Sequence, residues 1–208
     1  MRNLPGFLRF LPVAAICHGQ VINISGLARD AATSRTTVEG YVSILEDTLL
    51  ASRLPAFEPR IRVRERKHPK LYWVDPGIVR AARKQLGTVG VEERGALLEG
   101  WMLTVLRAHN ARQLLFEDVS YWAPLQARTA EVDFLLRRGR EHLAIEVKAH
   151  DRYSTPQLSG LRAIAGLPRL ARRVLVYLGN QRLRTEDGID VWPLGVWLEA
   201  VASGQLWP

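Results

Sequence analysis

The chain has 208 residues, with 29 Lys and Arg against 21 Asp and Glu and a formal net charge of +8. A composition of 47% hydrophobic and 24% charged residues excludes a disordered or fibrous chain. The cleanest apolar run, Phe10 to Cys17, is about eight residues and contains Pro12, far short of the roughly 20 that span a bilayer. One cysteine, Cys17, excludes an internal disulfide framework and a cysteine-rich zinc site. The start of the chain lacks a secretory charge–apolar–small pattern, so a cytoplasmic protein is expected.

Residues 1–90 hold 14 Lys and Arg against 7 Asp and Glu, whereas residues 91–208 are nearly balanced at 15 against 14. Such asymmetry suggests an anionic partner for the first half, nucleic acid above all. The segment from Ile22 to Leu50 reads as two helices. Ser25 is placed to cap the first, which runs through Leu27, Ala28 and Ala31. Thr33-Ser34 forms a turn and a new N-cap, after which Val38, Tyr41, Val42, Leu45 and Leu49 recur at helical spacing. A short helix, a tight turn and a longer amphipathic helix make a helix-turn-helix. The start of its second helix carries Arg35, Thr36 and Thr37, side chains suited to phosphates and base edges. Strands are expected at 50–57, 61–63 and 71–74. Between them Arg60, Arg62, Arg64, Arg66, Lys67 and Lys70 alternate in part with apolar residues, giving a basic strand face. The layout is that of a winged helix.

Asp75-Pro76-Gly77 reads as a turn, followed by a helix or two, and Gly87 to Gly90 as a linker. The expected domains are therefore 1–88, a winged-helix domain, and 89–208, a second domain. The latter opens with a long helix over 91–110, with Leu98, Trp101, Met102, Val105 and Leu106 as its stripe. Strands are then expected at 114–116, 119–122, 131–136 and 142–147, with Arg137-Arg138-Gly139-Arg140 turning between the last two. A helix over 156–165, strands over 173–178 and 189–191, and a final helix over 194–203 complete an α/β sandwich with a mixed central sheet.

Chemistry concentrates in the 131–148 hairpin. Strand alternation puts Glu146 and Lys148 on one face with Val147 on the other, and the hairpin brings Asp133 alongside. Glu99, on the preceding helix, borders its apolar stripe and is expected to look toward this sheet. A Glu-x-Lys pair alone is most often a surface pair. Here the strand is otherwise apolar, and a half-buried pair of carboxylates requires a compensating charge. A Mg²⁺ ion, which takes one or two carboxylates with water and substrate phosphate, supplies it, with Lys148 beside it to orient water or neutralise charge on a reacting phosphate. His18, His68, His109, His142 and His150 show no paired ligand spacing, so zinc is not expected. The six tryptophans lie on apolar stripes and read as core.

In this order, Gly95-x-Leu97-Leu98-Glu99, Tyr121-Trp122, Glu131-Val132-Asp133-Phe134 and Ile145-Glu146-Val147-Lys148 resemble the PD-(D/E)XK nuclease superfamily, the restriction-endonuclease-like fold. Gly19-Gln20-Val21-Ile22-Asn23, the Thr37 to Glu46 helix and Pro69-Lys70-Leu71-Tyr72-Trp73-x-Asp75-x-Gly77 extend the likeness to one branch. In that branch, a winged helix and a nuclease-like domain of unknown function follow an AAA+-type ATPase module in prokaryotic proteins. The resemblance implies an α/β (α+β) chain, a winged helix-turn-helix plus a restriction-endonuclease-like α/β/α sandwich. It implies Asp133 and Glu146 as metal ligands for Mg²⁺ or Mn²⁺, Lys148 as the catalytic lysine, and Glu99 and Gln157 as accessory groups. No Gly-x-x-x-x-Gly-Lys-Ser/Thr loop occurs, so no nucleotide cofactor and no ATPase activity are expected. The chain reads as a stand-alone version, a fragment or a remnant. Three functions follow: a metal-dependent DNA nuclease, a nuclease-fold DNA-binding or regulatory module that does not cut, and an interaction module for a separate ATPase.

Overall fold

The computed structural model describes residues 3–57, 68–124 and 130–208. Among these, residues 3–54 and 68–104 form one compact unit, and residues 55–57, 105–124 and 130–208 form another. The division falls inside a helix, whereas composition places the boundary at 88/89. The chain is a mixture of helices and two sheets. No helix among the described residues is long and apolar enough to cross a membrane.

The first unit begins with a helix that sequence pattern alone does not call. α1 (Leu4–Ile16) starts at Asn3, whose side chain accepts the Gly6 N–H at 2.9 Å. It continues through Pro12. Proline removes the N–H that would bond the Leu8 carbonyl, and Leu8 lies at the exposed surface. After β1 (Gln20–Val21) comes α2 (Ile24–Asp30), capped by Asn23 on the Gly26 N–H rather than by Ser25. α3 (Arg35–Asp47) is capped by Ser34 on the Thr37 N–H at 3.1 Å, as expected. Val38, Tyr41, Val42 and Leu45 are buried, but Leu49 lies beyond the helix and is 79% exposed. β2 (Ala51–Leu54) and β3 (Lys70–Trp73) complete a three-stranded antiparallel sheet in the order β1-β3-β2. The expected strand at 61–63 lies outside the described residues. Asp75-Pro76-Gly77 is a helix start, not a turn. The Asp75 carboxylate accepts the N–H groups of Gly77 and Ile78, and Pro76 takes the first position of α4 (Pro76–Ala82), where a missing N–H costs nothing. Phe7, Phe10 and Tyr41 meet ring to ring in the core beside Leu45 and Trp73.

α5 (Val91–Gln113) runs through both units, so its buried residues, Leu97, Met102, Leu103 and Leu106, do not form the one narrow stripe that the sequence suggests. It ends at Leu114, which adopts φ +51° and is 81% exposed. The expected strand at 114–116 is instead a connection. Its Leu115 and Phe116 are buried, and the Leu115 carbonyl accepts the indole N–H of Trp207 at 2.7 Å.

The second unit is built on a six-stranded mixed sheet, ordered β4-β5-β6-β7-β9-β8. β4 (Asp118–Trp122), β5 (Val132–Arg138) and β6 (Glu141–Lys148) form an antiparallel meander. The β5–β6 turn uses Gly139 at φ +59°, the left-handed region open to glycine. β7 (Leu170–Tyr177) lies parallel to β6, and β9 (Asp190–Pro193) parallel to β7. β8 (Leu183–Arg184) is an antiparallel edge, absent from the sequence reading because two residues carry no periodicity. Between β6 and β7 the chain forms a 3₁₀ turn at 155–158 and then α6 (Ser159–Ala163). α7 (Leu194–Ala202) follows β9 directly. Leu135, Ala144, Leu175 and Val191 of the sheet share one core with Leu158, Leu161 and Ile164.

Two close approaches fix these cores. A Cβ on Gly160 would stand 1.7 Å from the Glu131 carbonyl oxygen, so Gly160→Ala forces α6 away from the segment that leads into β5. It should cost the second unit roughly 1–3 kcal/mol, read as a lower urea midpoint. In the first unit, a Cβ on Gly100 would stand 2.3 Å from His18 Nε2. His18 Nδ1 accepts the Trp73 N–H at 3.1 Å and Nε2 faces the Ala96 carbonyl at 3.0 Å, which requires the neutral Nε2–H tautomer. Burial, aided by the charge of Arg83, pushes its pKa down to about 4, against the opposing bond to Ala96. The unfolded chain therefore binds the extra proton first. This contribution to stability is complete above pH 6.5 and is lost as pH falls toward 4. The urea midpoint of the first unit should fall across that window, and His18→Gln should remove that part of the pH dependence.

Candidate active site on the central sheet

Asp133, Glu146 and Lys148 come from neighbouring positions of β5 and β6, past the last paired residues of the hairpin. Cα pairing between the two strands runs from Arg138↔Glu141 to Phe134↔Ile145. One further step of that register sets Asp133 opposite Glu146. There the pairing changes kind: the Val147 N–H donates to Asp133 Oδ2 at 2.8 Å. A carboxylate thus takes an N–H at the end of the hairpin. Both acids are 6% exposed. Lys148, two residues beyond Glu146 on the same face, donates from Nζ to Glu146 Oε1 at 2.5 Å. The alternation argument holds: Glu146 and Lys148 meet, and Val147 is turned from them. Charge-assisted pairing offsets part of what it costs to bury these groups.

Among the described residues no three His, Cys, Asp or Glu side chains gather as metal ligands. The site therefore offers two carboxylates, a donor set within the range for Mg²⁺, which usually keeps several waters.

Glu99 belongs to the first unit, where Oε1 accepts from Lys70 Nζ at 3.0 Å and from the Tyr72 hydroxyl. These described partners come from β3 of the three-stranded sheet. Lys70, expected on a basic strand face, is 3% exposed, with its ammonium on Glu99. Gln157 accepts the Ser154 N–H at 2.9 Å through its side-chain oxygen and so closes the 3₁₀ turn. Arg35 and Thr36 are exposed at the start of α3, and Thr37 is half-buried with its hydroxyl 2.8 Å from that of Ser34. Arg60, Arg62, Arg64, Arg66 and Lys67 lie outside the described residues.

Sequence reading missed the cleft at the ends of β6 and β7. It has a volume of about 610 Å³ and is lined by the 151–153 and 177–181 segments with Leu183. Tyr177, the Cα partner of Lys148, anchors it. Its hydroxyl donates to the Gln181 carbonyl at 2.7 Å and accepts the Gln181 N–H at 3.0 Å. The available signal was Leu178-Gly179-Asn180 directly after a buried strand, where open α/β sheets hold ligands.

The chain is a mixed α/β protein of two units, and comparison with known proteins gives its family. Residues 94–197, half of the chain, match the family described as "Domain of unknown function (DUF4143)", and the chain belongs to it. Residues 1–88 match a second family, "Domain of unknown function (DUF8612)". The chain is 30% identical over 186 residues to "Uncharacterized protein Mb2031c" of Mycobacterium bovis and equally to "Uncharacterized protein Rv2008c" of Mycobacterium tuberculosis. Each alignment covers 85% of this chain and 39% of the relative, so the chain spans about two fifths of their length. Among solved structures, protein VC1899 from Vibrio cholerae aligns over 97% of this chain and 49% of its own, with 15% identity and a TM-score of 0.39.

The Asp133–Val147 bond separates structure from charge. Asp133→Ala leaves a buried N–H without its acceptor and should destabilise the second unit by about 1–3 kcal/mol. Asp133→Asn keeps an acceptor oxygen and should lose much less. Urea unfolding of the two variants, with amide exchange at Val147, checks this.

Proposed function

We propose that the second unit is a metal-dependent phosphodiesterase of the PD-(D/E)XK kind acting on DNA, and that the first unit is a winged helix that holds the duplex. The observation that carries the reading is the convergence of Asp133, Glu146 and Lys148 on one face, past the last paired residues of the β5–β6 hairpin. The α/β layout of the second unit and the order α1-β1-α2-α3-β2-β3 of the first are compatible with that pair of folds. Arg35 and Thr36, exposed at the start of α3, support the placement of phosphates there.

Asp133 and Glu146 would hold Mg²⁺, which supplies an activated water and stabilises charge on the leaving oxygen. The protein groups have separable tasks. The Val147 N–H holds one oxygen of Asp133 and fixes the carboxylate in orientation. Glu146 brings a second negative charge to the same face. Lys148 Nζ sits against Glu146, where its charge can neutralise a reacting phosphate. Gln157 holds the 3₁₀ turn that leads into α6.

A specific observation favours a second reading, a nuclease-fold module that binds DNA without cutting. Lys148 already occupies Glu146 Oε1, so one cation of the protein serves as the countercharge that a metal would provide.

Cleavage of linear, nicked, branched and single-stranded DNA in Mg²⁺ and in Mn²⁺ decides between them. The nuclease reading expects metal-dependent cutting that falls at least about 100-fold in Asp133→Asn and Lys148→Ala, the order of loss for one electrostatic catalytic group. Absence of cutting on all four substrates overturns it. Salt-dependent binding that persists in Glu146→Ala then supports the second reading.

A further inference from the structure

We propose that the cleft beyond β6 and β7 receives one nucleobase of the strand whose phosphate lies against Lys148. This inference rests on the phosphodiesterase reading of the Asp133–Glu146–Lys148 face, and it names how that face would meet its substrate.

The cleft is held in shape by main-chain bonds rather than by loose side chains. Leu178 N–H donates to the His150 carbonyl at 2.9 Å. The Tyr177 hydroxyl holds both the N–H and the carbonyl of Gln181. A Cβ on Gly179 would stand 2.1 Å from the Tyr177 ring and 2.4 Å from the Asp151 carbonyl oxygen, so the 178–181 loop lies flat against the 150–151 segment. Only glycine permits that approach. A pre-formed loop of this kind needs little ordering when it binds.

The chemistry of the walls is specific in two respects. First, the hydrogen-bonding side chains of Arg152, Asn180 and Gln181 make no hydrogen bond or ion pair to other described residues, while the main chain of Gln181 is fully used. Side-chain amides present a donor and an acceptor side by side, the pattern on base edges. Second, Tyr153 is half-buried and meets Tyr177 edge-on, with ring centres 6.2 Å apart and planes at 82°. Tyr153 also packs against the core of the second unit, and the part of its ring that lines the cleft offers an aromatic surface on which a base can stack. Asp151 and Arg152 balance in charge, so the cleft suits a neutral polar ring better than a phosphate. Its volume of about 610 Å³ lies in the range of small-molecule sites. Tyr177 pairs with Lys148 in the β6–β7 register, which sets the cleft one strand away from the lysine.

The test uses the full chain, labelled with ¹⁵N, and the four deoxynucleoside 5′-monophosphates without divalent metal. The proposal expects saturable shifts of the Asn180 and Gln181 side-chain amide resonances. Ribose 5-phosphate, which keeps the phosphate and lacks the base, should leave them in place. Tyr153→Ala should weaken binding about tenfold, within the range for loss of one base stack, and Tyr153→Phe should restore it. Equal shifts with ribose 5-phosphate, or none with any nucleotide, overturn the proposal. The two readings fail separately. Base binding in a chain that cuts no DNA removes the catalytic reading and leaves the cleft assigned. Cutting that is unchanged in Tyr153→Ala, in a chain that binds no nucleotide, removes the cleft proposal alone.

Discussion

The second unit turns on one substitution of partners. At the end of the β5–β6 hairpin, the Val147 N–H goes to the carboxylate of Asp133. A buried N–H must find an acceptor, and here the acceptor carries a charge. That bond holds the acid at the end of β6, a strand that pairs with β5 on one side and runs parallel with β7 on the other. The charge then needs an answer within reach. Lys148 on Glu146 supplies part of it, and a cation drawn from solution would supply more. The geometry of the strand end and the demand for positive charge are one constraint seen twice.

The same economy operates in the first unit, where Lys70 and Tyr72 converge on Glu99 and His18 bridges Trp73 and Ala96. Buried polar groups are satisfied in small sets, and each set ties β3 to α5. An acid that looks catalytic from its position in the chain is, in its described contacts, part of this tie.

Much of the fold was legible because burial leaves periodic traces. Val38, Tyr41, Val42 and Leu45 announce α3, and Ser34 announces its cap. The alternation through Glu146, Val147 and Lys148 announces the face on which the lysine meets the acid. What stayed hidden has physical reasons. α1 contains Pro12, which reads as a breaker yet is carried within the helix, one turn after the exposed Leu8. Leu114 to Phe116 is as apolar as a strand because two of its three side chains are buried in a connection. Asn23 and Ser25 are both good caps, and only the backbone decides between them. The described partners of Glu99 come from β3, 27 and 29 positions earlier, a tertiary fact with no local signature. The cleft exists only because β6 and β7 are neighbours, with a whole crossover between them in the chain.

The indole of Trp207 seals the second unit against Leu115, 92 positions earlier. During synthesis, β4 to β9 emerge with that carbonyl still waiting for its donor. Domains fold as units as they leave the ribosome, so this one can gather its sheet early but cannot close it until Trp207 has cleared the exit. The order of translation thus places this contact after the strands that it closes over.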